Sequence, residues 1–276
     1  MTEIARESGP VGWKGRGLRD KPASMARYDF RSSRLFVEAP LAGGATLAVA
    51  PNQANYLINV LRLKPGADVL VFNGRDGEWR AQLGAAGKKA VQLVVTERTR
   101  EQTVPGDLHY LFSPLKHARL DYMVQKAVEL GASRLQPVIM RHTQTERVNL
   151  DRMRANAIEA AEQCGILHIP EIAAPITLDV FVDKWVPERL LVFGDEDADV
   201  KDPVAALAVG RDPAGIGPTP VTLLVGPEGG FADKERASLL ELANIVRLAL
   251  GPRILRADTA AVAALALVQA VLGDWR

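Results

Sequence analysis

From residue 108 onward, short apolar runs alternate with segments of helical periodicity, and that alternation leaves few folds open. Leu108–Phe112, 135–140, 190–193, Val221–Val225 and 245–250 read as strands. Residues 118–130, 151–163, 234–242 and 259–272 read as helices. In the first of these, Leu120, Met123, Val124, Ala127 and Leu130 share one face, and Gly131 closes it. Leu190-Leu191-Val192-Phe193 is apolar at consecutive positions, as in a strand buried on both faces. The expectation is an α/β unit whose mostly parallel sheet is covered by helices on both sides.

The residues before it follow another rhythm. Strands are expected at 34–38, 45–49, 69–72, Glu78–Leu83 and 90–96, with a helix at 52–63. Pro65-Gly66, Asn73-Gly74 and Asp76-Gly77 supply turns, so this part reads as a small antiparallel barrel. Residues 1–25 are polar and aperiodic, like a flexible leader, and 101–106 resemble a linker. The expected organisation is a leader (1–25), a barrel (26–100) and an α/β domain (107–276).

Charge and cysteine content remove several function classes. The net charge of +1 gives no global basic field, so any nucleic acid must meet a local patch. The first 34 residues carry eight Lys/Arg against four acids. The single cysteine, Cys164, excludes an intramolecular disulfide. The longest apolar run, 260–272, falls short of the roughly 20 residues that cross a bilayer, and the N-terminus lacks a secretory pattern. A cytoplasmic protein with no membrane partner is expected. The helix at 259–272 is apolar nearly all round, which points to a second buried face and a homodimer.

Two glycine-rich corners carry the chemistry. Leu224-Val225-Gly226-Pro227-Glu228-Gly229-Gly230-Phe231 and Leu250-Gly251-Pro252-Arg253-Ile254-Leu255-Arg256-Ala257-Asp258 each follow an apolar run and precede a helix. Ligands of open parallel sheets bind beyond the carboxyl ends of strands, where both corners fall. Gly226, Gly229 and Gly230 allow positive φ and close backbone approach. Phe231 and Ala232 stand where a phosphate-binding loop needs Gly-Lys-Ser/Thr, and G-x-G-x-x-G is absent. Clustered Cys/His is absent too, so no metal is expected.

These paired corners resemble the signatures of the SPOUT RNA methyltransferases, and within them the enzymes that methylate N3 of a uridine in 16S rRNA. The resemblance extends to Arg34-Leu35-Phe36, Val60-Leu61-Arg62 with Lys64 and Gly66, Phe72-Asn73-Gly74, Lys116, Lys126 to Gly131, Arg141 and Glu162-Gln163-Cys164-Gly165. Tyr56, Ile166 and Asp258 depart from the pattern, where a histidine, an arginine and a glutamate are usual.

The resemblance implies a PUA-like RNA-binding barrel and a SPOUT domain threaded into a deep trefoil knot. It implies S-adenosylmethionine held by Leu224, Val225, Gly226, Gly229, Leu250, Gly251, Ile254, Leu255 and Arg256. The substrate it implies is 16S rRNA in the 30S subunit. The catalytic candidates are Arg256, to orient the base, and Glu228 or Asp258, to accept the uridine proton. Arg31, Arg34, Arg62, Lys64 and Lys116 are candidate phosphate contacts. A methyltransferase acting on another RNA, or a non-catalytic assembly factor, are the alternatives.

Overall fold

The computed structural model describes residues 29, 32–84, 91–145, 147–210 and 219–275. The expected leader (1–25) and Arg31 lie outside the described residues. The N-terminal sheet contains β1 (Arg34–Phe36), β2 (Thr46–Ala48), β3 (Asp68–Phe72), β4 (Glu78–Leu83) and β5 (Gln92–Arg100), in the order β1-β3-β4-β5-β2. It is mixed, not wholly antiparallel as its turns suggested. β1 lies parallel to β3, while the other pairings are antiparallel. A parallel neighbour needs a long crossover. Here β2 and a helical segment fill it.

That segment starts at Pro51, whose missing N–H costs nothing in a first turn. It begins as α1 (Pro51–Asn55) and widens into a π-helical turn (Tyr56–Val60). Leu63 N–H reaches back to the carbonyl of Leu57, and Arg62 turns into the left-handed region at φ 56°. Leu57 is wholly buried against Leu35, Val69, Val71, Leu93 and Val95, the core of this half-barrel.

The C-terminal sheet is entirely parallel. Its order is β12 (Ile245–Leu248), β10 (Leu190–Gly194), β11 (Val221–Val225), β6 (Leu108–Phe112), β7 (Arg134–Ile139) and β8 (Glu171–Ile172), with β9 (Ile176–Thr177) also on β7. Alternate residues point to opposite faces. Tyr110, Phe112, Val192, Leu223 and Val225 meet α2 (His117–Glu129), α3 (Leu150–Cys164) and α7 (Ala257–Val271). Leu111, Leu191, Phe193 and Leu224 meet α4 (Leu178–Asp183) and α6 (Asp233–Leu240). A further short helix, α5 (Pro203–Val209), is capped by the Asp202 carboxylate. Among the described residues, no helix is long and apolar enough to cross a membrane.

The two sheets share packing and polar ties. Phe36 and Phe72 of the half-barrel meet edge to face at 5.6 Å and join the larger core. Glu78, 2% exposed, accepts from Arg34 at 2.9 Å and from Arg100 at 2.7 Å. Arg100 also donates to the Gly165 carbonyl. Burial pushes the Glu78 carboxyl up, but the Arg100 and Arg34 guanidiniums outweigh it and hold it below the ordinary range.

Candidate functional site

The strand order brings the ends of β6, β7, β10, β11 and β12 to one edge of the parallel sheet. There the first glycine corner turns tightly, with Gly230 N–H donating to the Pro227 carbonyl. Only Gly230, at φ 70°, uses the left-handed freedom expected of all three glycines. Gly226 and Gly229 are small for another reason. A Cβ on Gly226 would lie 2.8 Å from the Phe231 ring, and one on Gly229 would lie 3.1 Å from His142 Cβ. Phe231 in turn packs edge to face on Phe193.

Side chains from neighbouring loops bind this corner in place. His142 Nδ1 lies 3.1 Å from the Gly230 carbonyl oxygen. The Glu235 carboxylate accepts from the backbone N–H groups of Arg141 and Ala232, at 2.7 and 2.9 Å. The Glu228 carboxylate pairs with Arg119 and accepts from Gln144 at 2.8 Å. Glu228 is therefore a bridge between α2 and the loop after β7.

The second corner stands out in solvent. Gly251 has φ 88°, and an added Cβ there would meet nothing within 4 Å. Ile254 is fully exposed, whereas Leu250 packs against the core and Leu255 is half-buried. Arg256 stands at the N-cap position of α7 with an exposed side chain that makes no capping bond, and Asp258 occupies the first turn, its carboxylate 3.9 Å from Arg256 Nε. Asp258 also lies near the buried Tyr110. Burial pushes that phenol up, and the Asp258 charge pushes it further.

Between the corners sits a residue that sequence reasoning missed. Asp195, 1% exposed at the end of β10, accepts from Arg247 of β12 at 2.6 and 2.7 Å and pairs with Arg236 of α6 at 3.3 Å. Its backbone N–H donates to the Leu248 carbonyl. One carboxylate thus fixes the strand that leads into the second corner to the helix that leaves the first. The signal was an acid directly after an all-apolar strand run.

The RNA candidates divide. Arg62, Lys64 and Lys116 are exposed. Arg34 corrects the sequence reading: its side chain is 3% exposed and committed to Glu78. A guanidinium enclosed with its own carboxylate has nothing to offer a phosphate. Among the described residues, no group of three or more His, Cys, Asp and Glu is placed to hold a metal.

Comparison with known proteins matches this architecture. A family model described as an RNA methyltransferase domain covers residues 86–269, and one described as an RNA methyltransferase PUA domain covers 50–96. Ribosomal RNA small subunit methyltransferase E of Synechocystis is 33% identical over 83% of this chain and 74% of its own length. The Rickettsia conorii protein of that name is 29% identical, over 86% and 95%. A Neisseria gonorrhoeae ribosomal RNA small subunit methyltransferase E bound to S-adenosyl methionine superposes with a TM-score of 0.73 at 27% identity, covering 89% of this chain and 100% of that one. A Legionella pneumophila methyltransferase, in complex with the bound cofactor SAM, gives 0.74 at 29% identity, covering 88% and 99%. With matching domains in both halves and near-full-length relatives of one name, the chain belongs to the RNA methyltransferase family, and within it to that of ribosomal RNA small subunit methyltransferase E.

Proposed function

We propose that this protein transfers a methyl group from S-adenosylmethionine to N3 of a uridine in 16S rRNA of the small ribosomal subunit. The observation that carries the reading is the pair of glycine corners beyond the ends of β11 and β12. The second corner offers what the cofactor needs. Open space faces the backbone at Gly251, and apolar side chains at Leu250, Ile254 and Leu255 flank it. On this reading, backbone groups of Leu224, Val225, Gly226 and Gly229 contact the cofactor from the first corner. When bound, the cofactor supplies an electrophilic methyl group on a sulfonium, chemistry that requires no metal.

Uridine N3 carries a proton and attacks poorly until that proton leaves. Arg256 has an exposed guanidinium beside Asp258, suited to orienting the base and steadying charge on its carbonyl oxygens. Asp258 then accepts the N3 proton. Glu228 is the poorer acceptor, because Arg119 and Gln144 already occupy its carboxylate. Arg62, Lys64 and Lys116, with Arg31, contact RNA phosphates. Arg62 is also held in a backbone conformation that non-glycine residues seldom adopt.

The same reading divides the chain into a PUA-like barrel (26–100) and a SPOUT domain (107–276), and treats the second corner as part of a trefoil knot. A homodimer forms across α2 and α7. Exposed Tyr122 and half-buried Val262 and Ala263 line a hollow of about 540 Å³ there. The protein acts in the cytoplasm, where its substrate is assembled.

The test is to incubate the protein with labelled S-adenosylmethionine and small ribosomal subunits and to map the methylated nucleotide. Methylation at uridine N3 is the expected outcome. Methylation elsewhere, or none, overturns the proposal.

A further inference from the structure

Apart from the glycine corners, the structure holds a cleft of about 620 Å³ where the half-barrel meets α3. That volume falls within the range of about 300–1,000 Å³ usual for small-molecule sites. One wall is α1 and its π-helical extension, with Asn52, Gln53 and the half-exposed ring of Tyr56. The other wall is α3, with Glu159, Glu162 and Gln163. Gln53 Nε2 donates to the Phe36 carbonyl at 2.7 Å, and Glu162 Oε1 accepts from the Phe36 N–H at 2.8 Å. Both walls are therefore pinned to the β1 floor. Glu162 Oε2 has no hydrogen-bond partner among the described residues.

The donor set selects a ligand class. A phosphate is disfavoured, because two carboxylates line α3 and the floor arginine, Arg34, is spent on Glu78. An aromatic ring, side-chain amides and a carboxylate oxygen together suit a planar heterocycle with hydrogen-bond donors on its edge. Proteins read unpaired RNA bases with these groups, by stacking and by edge contacts. Uracil presents two carbonyl oxygens beside its single N–H, and both would face the carboxylate. Adenine, cytosine and guanine each present an amino group. We propose that this interdomain cleft receives one unpaired, amino-bearing base of the RNA substrate, stacked on Tyr56 and read by Glu162, at a site separate from the glycine corners. Burial pushes the Glu162 carboxyl up to about 7, and the charge of Glu159 adds to this, so a donor edge finds a carboxylate that is poorly solvated when ionised.

The inference rests on RNA being the substrate class. Its test uses the full chain and seven-nucleotide single-stranded RNAs, all uridine except for a central A, C, G or U, with fluorescence anisotropy at fixed salt. An amino-bearing central base should tighten binding roughly tenfold over all-uridine RNA, the size of a good edge contact. In Glu162→Gln and Tyr56→Ala that ratio should fall to about one. Glutamine can still accept from the Phe36 N–H, so thermal melts should show Glu162→Gln folded. Equal wild-type affinity for all four RNAs, or an intact ratio in both variants, overturns the site. The matching free nucleoside monophosphate should compete only at far higher concentration, since phosphate contacts arise elsewhere. Competition at equal concentration would show that free nucleotide, not RNA, is the occupant. Methyl transfer by the wild type to small-subunit RNA, measured in parallel, reports on the proposed activity independently of any base preference.

Discussion

The two glycine corners look alike in sequence and are built in opposite ways. The first is braced by several elements, though Glu228 and Gly229 at its tip reach solvent: Phe231 lies under it, His142 beside it, Glu228 links it to α2, and Glu235 ties it to the loop after β7. In the second, Gly251, Pro252, Arg253 and Ile254 are all exposed. A loop with few buried contacts belongs to the low-stability end of a protein. By these contacts the first corner belongs to the framework, while the second is held by fewer of them.

Asp195 is the point at which the two corners depend on each other, and breaking it should have the largest effect. Asp195→Ala leaves Arg247 without its buried partner and takes one of three carboxylates from Arg236, which keeps Glu196 and Asp197. Removing one member of such a cluster costs about 3 kcal/mol. Chemical denaturation should show that loss, and calorimetry should show weaker S-adenosylmethionine binding. Unchanged stability would mean that the corners are positioned independently.

Arg256→Ala tests the chemistry proposed for the second corner alone. Its side chain is exposed and supports no packing, so stability should hold within about 0.5 kcal/mol. Turnover on saturating RNA should fall about 100-fold, the usual loss for one charge-stabilising group. Full turnover would remove Arg256 from the mechanism.

An alanine pair then compares the corners directly. Gly226→Ala forces a methyl group against the Phe231 ring, an overpacking cost of about 2 kcal/mol. Gly251→Ala meets no atom, so only its left-handed backbone opposes it, at about 1 kcal/mol. Thermal melts of the two variants give the order. If Gly251→Ala were the more destabilising, the second corner would be as constrained as the first.

How much of this could be read in advance followed from the range of the interactions. The strands at Leu190–Gly194 and Val221–Val225 were legible because both faces are buried, which writes an apolar run, interrupted in the second strand by Thr222. The two-residue strands β8 and β9 and the short helices α4 and α5 were missed, being too brief to show a period. The parallel pairing of β1 with β3 is a tertiary choice without a local signature. Arg34 was misread for the same reason, since its partner Glu78 lies 44 residues away. The corners themselves announced their shape through Gly and Pro. What braces them comes from Arg119, His142 and Gln144, far along the chain, so their difference in rigidity was invisible.

The interface between the sheets offers the smallest effect and a test of sign. Glu162 has its folded pKa raised from 4.5 to about 7, so the folded state holds this proton more tightly than the unfolded chain. Its contribution to stability is complete below pH 4.5 and is lost as pH rises through 7. Glu78, held below the ordinary range by its arginines, acts in the opposite sense and withdraws its contribution as pH falls through its folded pKa. Glu162→Gln removes only the first response. Relative to wild type, the variant should gain on the order of 1 kcal/mol between pH 5 and pH 8, discounted for the part of Glu162 that water reaches. Urea titrations at the two pH values measure it. A variant that tracks wild type across that range would show that Glu162 stays ionised and hydrated, leaving the pH response of the interface to Glu78 and its arginines, which fails on the acid side alone.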